Sequence, residues 1–196
     1  MNNIFVLMFL KISNKNERLN MVWKVRRVVT GHNEQGESTV IFDGNSPHIT
    51  ETESMPGLFM TELWETSASP VDNKGQKDSA ERQVTLDPPE NGSVFRIVEF
   101  PPEGSWRDSA DGSAAFASMG ASDAHQSDSS DPMMHKTNTI DYIVIIKGEI
   151  YAILDDSETL LRQGDTFIQR GTVHSWRVNG NEPCVLAVVL INANPV

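Results

Sequence analysis

The sequence predicts an all-β domain, a small antiparallel barrel or sandwich, and three observations carry that prediction. Between Met134 and Asn179, stretches rich in β-branched residues such as Ile140 and Ile143–Ile146 are separated by turn signals at Gly148, Asp155-Asp156-Ser157 and Gly164-Asp165. Those signals recur at roughly 8-residue intervals, the spacing of short antiparallel strands. Asn179-Gly180 then marks a hairpin turn, because Asn-Gly favours the left-handed dihedrals such turns need. The final run Cys184–Ile191 is apolar at consecutive positions, so both of its faces are expected to be covered, by N-terminal strands or by a partner subunit.

In chain order, residues 1–20 read as an N-terminal extension, with Met21 a possible natural start. Their apolar run at residues 4–10 has no basic start and no small-residue cleavage site, and it falls short of the roughly 20 residues a membrane helix needs. A cytoplasmic protein is therefore expected. Residues 21–103 supply N-terminal strands and loops. Val22–Val29 and Ser38–Phe42 flank a turn and predict a hairpin, Asp43–Pro56 reads as loop, and Gly57–Glu65 and Ser93–Phe100 read as strands. Arg96 and Glu99 either form a salt bridge or point to solvent, and an exposed pair contributes little.

Residues 104–132 form a Ser-, Asp-, Ala- and Gly-rich insertion with too little apolar material to fold alone. It is either a solvated loop or a lid whose Trp106, Phe116, Met119 and His125 close over a pocket. The core of the domain is assigned to residues 133–196.

The composition excludes some partners. With 196 residues and a formal charge of −11, the chain lacks the basic surface that nucleic acid or an anionic membrane requires. Cys184 is the only cysteine, so no intrachain disulfide forms, and its apolar neighbours point to a packed thiol.

Candidate chemistry sits at both ends of the core. Side chains alternate along a strand, so an inward His135 brings Thr137 and Asp141 with it unless a bulge intervenes. On a later strand His174 and Trp176 share a face, and closure of a barrel would set that imidazole opposite His135 and Asp141. Gln169 and Arg170 precede the His174 turn, where one of them is expected at the cavity edge, and Trp176 stands as a platform for an aromatic substrate or as core. His48 and His125, on loops, are reserve ligands.

These residues resemble the cupin superfamily, whose first motif is G-x5-H-x-H-x3-4-E-x6-G and whose second is G-x5-P-x-G-x2-H-x3-N. His135, Thr137, Asp141 and Gly148 stand at the first-motif His, His, Glu and Gly positions, in an HxTxTIDY form. Gly164, Gly171 and His174 match the second motif, with Gln169 near the proline position and Val178 at the Asn position. The resemblance implies a double-stranded β-helix (jelly-roll) barrel, a small-molecule substrate and a homodimer. It also implies a divalent Fe, Mn, Ni or Zn ion held by His135, Asp141 and His174, with Thr137 in place of one family histidine. A metal-free form stays open, with His174 as general base and Asp141 as its orienter. The reaction expected is lyase, decarboxylase, dehydratase or isomerase chemistry on a polyketide or aromatic acid. The alternatives are an Fe(II)-dependent oxidoreductase or dioxygenase, and a non-catalytic ligand-binding cupin.

Overall fold

In the computed structural model, residues 15–52, 54–107 and 110–196 are described. The apolar run at residues 4–10, and with it most of the expected extension, lies outside them. The first described element is helix α1 (Lys15–Met21), followed by a hairpin of β1 (Arg26–His32) and β2 (Ser38–Asn45). Next come β3 (Ile49–Glu51), β4 (Phe59–Thr66) and β5 (Ser93–Phe100). The segment expected to be loop from Asp43 to Pro56 therefore holds the end of β2 and a short edge strand. β3 is only three residues long, and Pro47 and Pro56 bracket it, which is why composition hides it.

After the insertion, with its helix α2 (Gly112–Ser118), six strands follow: β6 (Thr139–Lys147), β7 (Glu149–Ile153), β8 (Glu158–Arg162), β9 (Thr166–Arg170), β10 (Ser175–Val178) and β11 (Cys184–Asn192). They build two facing sheets of a jelly roll. The larger has the order β3-β4-β5-β11-β6-β9, and the smaller β10-β7-β8. Single bridges from His174 to His135, and from His135 to His125, continue the smaller sheet towards the insertion.

Alternation along the strands sorts the core. From β6, Ile143 and Ile145 point inward with Leu186, Val188 and Leu190 of β11, meeting Ile150, Ala152, Leu161 and Trp176 from the smaller sheet. The opposite face of β11 is covered at its first half only: Val185 packs with Leu63 and Ile97, and Val25, just ahead of the N-terminal hairpin, lies against them, while Val189 and Ile191 further along are half-buried. Gly148 makes the β6–β7 turn at φ +80°, where a Cβ would approach the Pro183 carbonyl to 2.9 Å, so the position requires glycine.

The described part of the insertion, residues 104–107 and 110–132, is packed. Asp111 caps α2 by accepting from the Ala114 amide at 2.9 Å, and Gly120 turns the chain away at φ +67°. A seven-residue helix is marginal on its own, so burial of Ala115 and Phe116 holds it. Phe116 lies in an apolar layer that Met55, Leu58 and Met60 share with Trp106, Met119 and Met133. We call residues 104–132 the cap.

Candidate active site

Between the two sheets, beneath the cap, lies a cavity of about 100 Å³. The barrel lines it with Val98, Phe100, Ile143, Trp176, Leu186, Val188 and Leu190, and the cap with Trp106, Phe116 and Met119. Four polar groups face this apolar space: Arg96, His135, Asp141 and His174.

The two imidazoles form the centre. His135 and His174 exchange both backbone hydrogen bonds at 2.9 Å, and their ring centroids stand 4.1 Å apart. Nδ1 of His135 is 2.8 Å from the Met133 carbonyl oxygen. A carbonyl only accepts, so Nδ1 carries the proton and Nε2 keeps its lone pair. Nδ1 of His174 likewise reaches the Thr172 carbonyl at 3.0 Å, while the two amide protons of Gln169 go to the Thr172 carbonyl (2.8 Å) and hydroxyl (2.5 Å). The Gln169 amide nitrogen also stands 3.0 Å from Nδ1 of His174; with both its protons on Thr172 it donates nothing to the ring, so the proton on Nδ1 goes to the Thr172 carbonyl and Nε2 is bare. Burial lowers the His135 pKa to about 4, and burial together with the neighbouring His135 lowers that of His174 well below its ordinary value. Both rings are neutral at physiological pH.

Asp141 comes from β6, in the larger sheet. Its Oδ1 is buried with no hydrogen-bond partner. Burial raises the pKa to about 6, against the opposing pull of a Thr139 hydrogen bond and the Arg96 charge. Arg96 is the functional-site residue that sequence reasoning missed. It is fully buried beside Glu62, with Nε 2.9 Å from Oε1, and donates to the Thr85 carbonyl at 2.6 Å. Glu99, its expected partner, lies on the opposite face and accepts from the Trp23 amide at 2.7 Å. Residues 96 and 99 differ in parity, so a straight strand sends them to opposite faces, a signal the sequence does hold.

His135, Asp141, His174 and Trp176 are thus brought to one cavity, and three other predicted site residues are not. Thr137 is buried outside it, its hydroxyl 2.7 Å from that of Thr139, because the chain leaves strand geometry before β6 begins at Thr139. Gln169 sits behind His174, in the orienting place expected of Asp141, and acts through Thr172: it donates to the Thr172 carbonyl that also accepts from Nδ1 of the ring. Arg170 is exposed, at the rim near the C-terminus. Of the reserve ligands, His48 bonds Asp78 at 2.9 Å, and His125 spends Nε2 on the Pro132 carbonyl at 3.1 Å while stacking on Phe116.

The metal implied by the resemblance needs three converging donors. The imidazole pair suits such an ion, since each Nδ1 is tied to a carbonyl and each Nε2 is free. Among the described residues, however, no three His, Cys, Asp or Glu side chains come together as a ligand cluster. Asp141 does not join the pair, so the expected three-residue ligand set does not fit this arrangement.

Comparison with known proteins places the chain. A family model described as "Cupin domain" matches residues 123–190. Phomopsin biosynthesis cluster protein C' of Diaporthe leptostromiformis is 31% identical over 158 residues, spanning 77% of this chain and 69% of that protein. The chain belongs to the cupin superfamily. This cupin is also 28% identical over 166 residues to the cupin-domain-containing oxidoreductase srdD of Neurospora crassa, spanning 81% of the chain and 69% of that protein. Among solved structures, the cupin domain of Schizosaccharomyces pombe Cnp3 aligns with a TM-score of 0.41 at 14% identity, covering 87% of this cupin and 89% of that chain. The protein is thus related to cupin-domain oxidoreductases of fungal secondary-metabolite clusters, which suggests an enzyme and not specifically the lyase expected first. Among the described residues, no helix is long and apolar enough to cross a membrane.

Proposed function

We propose that this cupin is an oxidoreductase of small-molecule biosynthesis, acting on a neutral, largely apolar substrate by removing a proton from it. The observation that carries the reading is the partnerless Oδ1 of Asp141, facing an apolar cavity opposite two neutral imidazoles. A carboxyl with a pKa of about 6 is near the optimum for a general base at physiological pH. An imidazole at about 4 is a weak base but a good hydrogen-bond acceptor. Asp141 takes the proton, and the Nε2 lone pairs of His135 and His174 accept from substrate hydroxyls. The single guanidinium in the wall, Arg96, is neutralised by Glu62, so nothing there compensates a substrate carboxylate; this favours phenols and enolisable ketones over the aromatic acids expected from sequence. The resulting phenolate or enolate is the electron-rich form from which an oxidant such as dioxygen withdraws electrons. The kinship with srdD supports that class.

Incubation of the protein with a panel of neutral phenols and β-dicarbonyls in D2O, in air and under argon, tests the reading. Asp141-dependent C–H exchange under argon and turnover in air are expected, with Asp141→Asn lowering both at least about 100-fold, the scale of general-base catalysis. Turnover that survives Asp141→Asn, or carbon dioxide release from carboxylic acids in its place, would overturn it.

The homodimer also remains a proposal. Phe95, Val189, Tyr142 and Ile168 stand in register across four adjacent strands on the outer face of the large sheet, with Phe95, Tyr142 and Ile168 39 to 52% exposed. A second copy covering this row accounts for it. Sedimentation of wild type against Tyr142→Glu tests the pairing, with a shift from dimer to monomer expected.

A further inference from the structure

Arg107 stands at the start of the cap, outside the cavity, and its guanidinium joins three pieces of chain. Nε pairs with Glu103, on the approach to the cap, and Nη1 with Asp131 at 2.9 Å, on the way out of it. Nη2 donates to the Trp176 carbonyl at 3.1 Å, on β10. The two carboxylates carry the contact further. Glu103 accepts from the Val178 amide at 3.1 Å, again on β10, and Asp131 accepts from the Met133 amide at 2.9 Å. Met133 is the residue whose carbonyl fixes the His135 ring.

From this arrangement we infer that Arg107 is a positioning residue: it clasps both ends of the cap to the strand that follows His174 and to the turn that orients His135. The planar guanidinium suits the task, because its fixed fork meets two carboxylates and a carbonyl at once, whereas a lysine ammonium lacks that geometry. All three charged side chains are 15 to 24% exposed, so solvent weakens the clasp and lets it open without unfolding the barrel. An open clasp frees Phe116, whose ring packs at a tilt against His135 with centroids 4.8 Å apart, and exposes the imidazole pair. The cavity of about 100 Å³ is smaller than the roughly 300 Å³ at which ligand sites of drug-like size begin, so a phenol-sized or larger substrate needs that opening. The clasp itself holds whatever the reaction turns out to be.

The test needs no substrate. Neutral imidazoles react with diethyl pyrocarbonate, and peptide mass spectrometry assigns the rate to each histidine. In wild type, His135 and His174 are expected to react at least ten times more slowly than the exposed His32. Arg107→Met should raise both rates at least five-fold, leave His32 unchanged and speed amide hydrogen exchange over residues 112–124 while β6 and β11 keep their protection. Arg107→Lys should recover part of the protection. Asp131→Asn, which keeps the bond to Met133 and loses the charge, gives a smaller rise of the same pattern and serves if Arg107→Met does not fold. Rates at His135 and His174 within two-fold of wild type in a folded variant, or a rise shared equally by His32, would overturn the inference.

Discussion

The cavity has two walls of different make. The barrel wall is strand on strand, with aliphatic side chains from β6, β11 and the smaller sheet meshed in one cluster and every strand laddered to a neighbour. The cap wall is a seven-residue helix and irregular chain that carry Trp106, Phe116 and Met119, clasped at its base by one arginine. The barrel fixes where the imidazoles stand, and the cap decides when anything reaches them. Rigidity and access are thus assigned to different parts of one chain.

The difference is sharpest when each wall is cut. Leu186→Ala, in the barrel, is expected to cost about 3 to 5 kcal/mol in chemical denaturation and to lower the midpoint of a single cooperative transition. A comparable loss is expected from Arg96→Met, which leaves Glu62 buried with only Arg82 as an ionic partner. Phe116→Ala removes as much apolar surface from the cap, yet its effect should be local: faster exchange at residues 112–124 with a smaller shift of the global midpoint, about 1 to 2 kcal/mol. If Phe116→Ala and Leu186→Ala shift the midpoint equally, the walls are one cooperative unit and the comparison fails.

Acidity separates the groups facing the cavity. The folded pKa of His135, about 4, is below the unfolded value near 6.5, so the unfolded chain binds more protons and stability rises with pH between the two. His174 acts in the same direction. Asp141 opposes them. Its folded pKa of about 6 exceeds the unfolded value near 3.9, so its contribution is fully present below about 4 and is lost as pH rises through 6. Denaturation midpoints taken from pH 4 to 7 should therefore rise more steeply in Asp141→Asn than in wild type, by about 3 kcal/mol across the window, and flatten in His135→Asn. An unchanged slope in both variants would remove the basis for the titration pattern. Least affected should be Arg26→Ala, on the solvent-facing hairpin, where loss of the exposed pair with Asp43 leaves the melting temperature unaltered.

Much of the barrel was legible because strand period and turn chemistry are local. Ile143 and Ile145 inward with Tyr142 outward and the Asn179-Gly180 turn follow from neighbours in sequence, whereas the expected cover on both faces of β11 holds only over its first half. His135, Asp141, His174 and Trp176 meet at one cavity for the same reason. What stayed hidden depends on distant partners. Arg96 is buried because Glu62, 34 residues earlier, stands opposite it on β4, and no local pattern announces that pairing. Thr137 misses the cavity because strand alternation was extended past the first residue of β6. The cap is poor in apolar residues on its own, and it folds because Met55, Leu58 and Met60 supply the other half of its core. Gly112 records how closely it seats: a Cβ there would lie 1.7 Å from the Pro132 carbonyl oxygen.

Cys184 packs in the barrel with no exposed surface, and burial pushes its thiol up to about 12. A thiol so placed is silent to maleimides and disulfide reagents. Ser113→Cys, on the exposed side of the cap helix, would then carry the sole reactive sulfur of the protein. A fluorophore attached there would report cap movement from one defined position, with the native cysteine left in place.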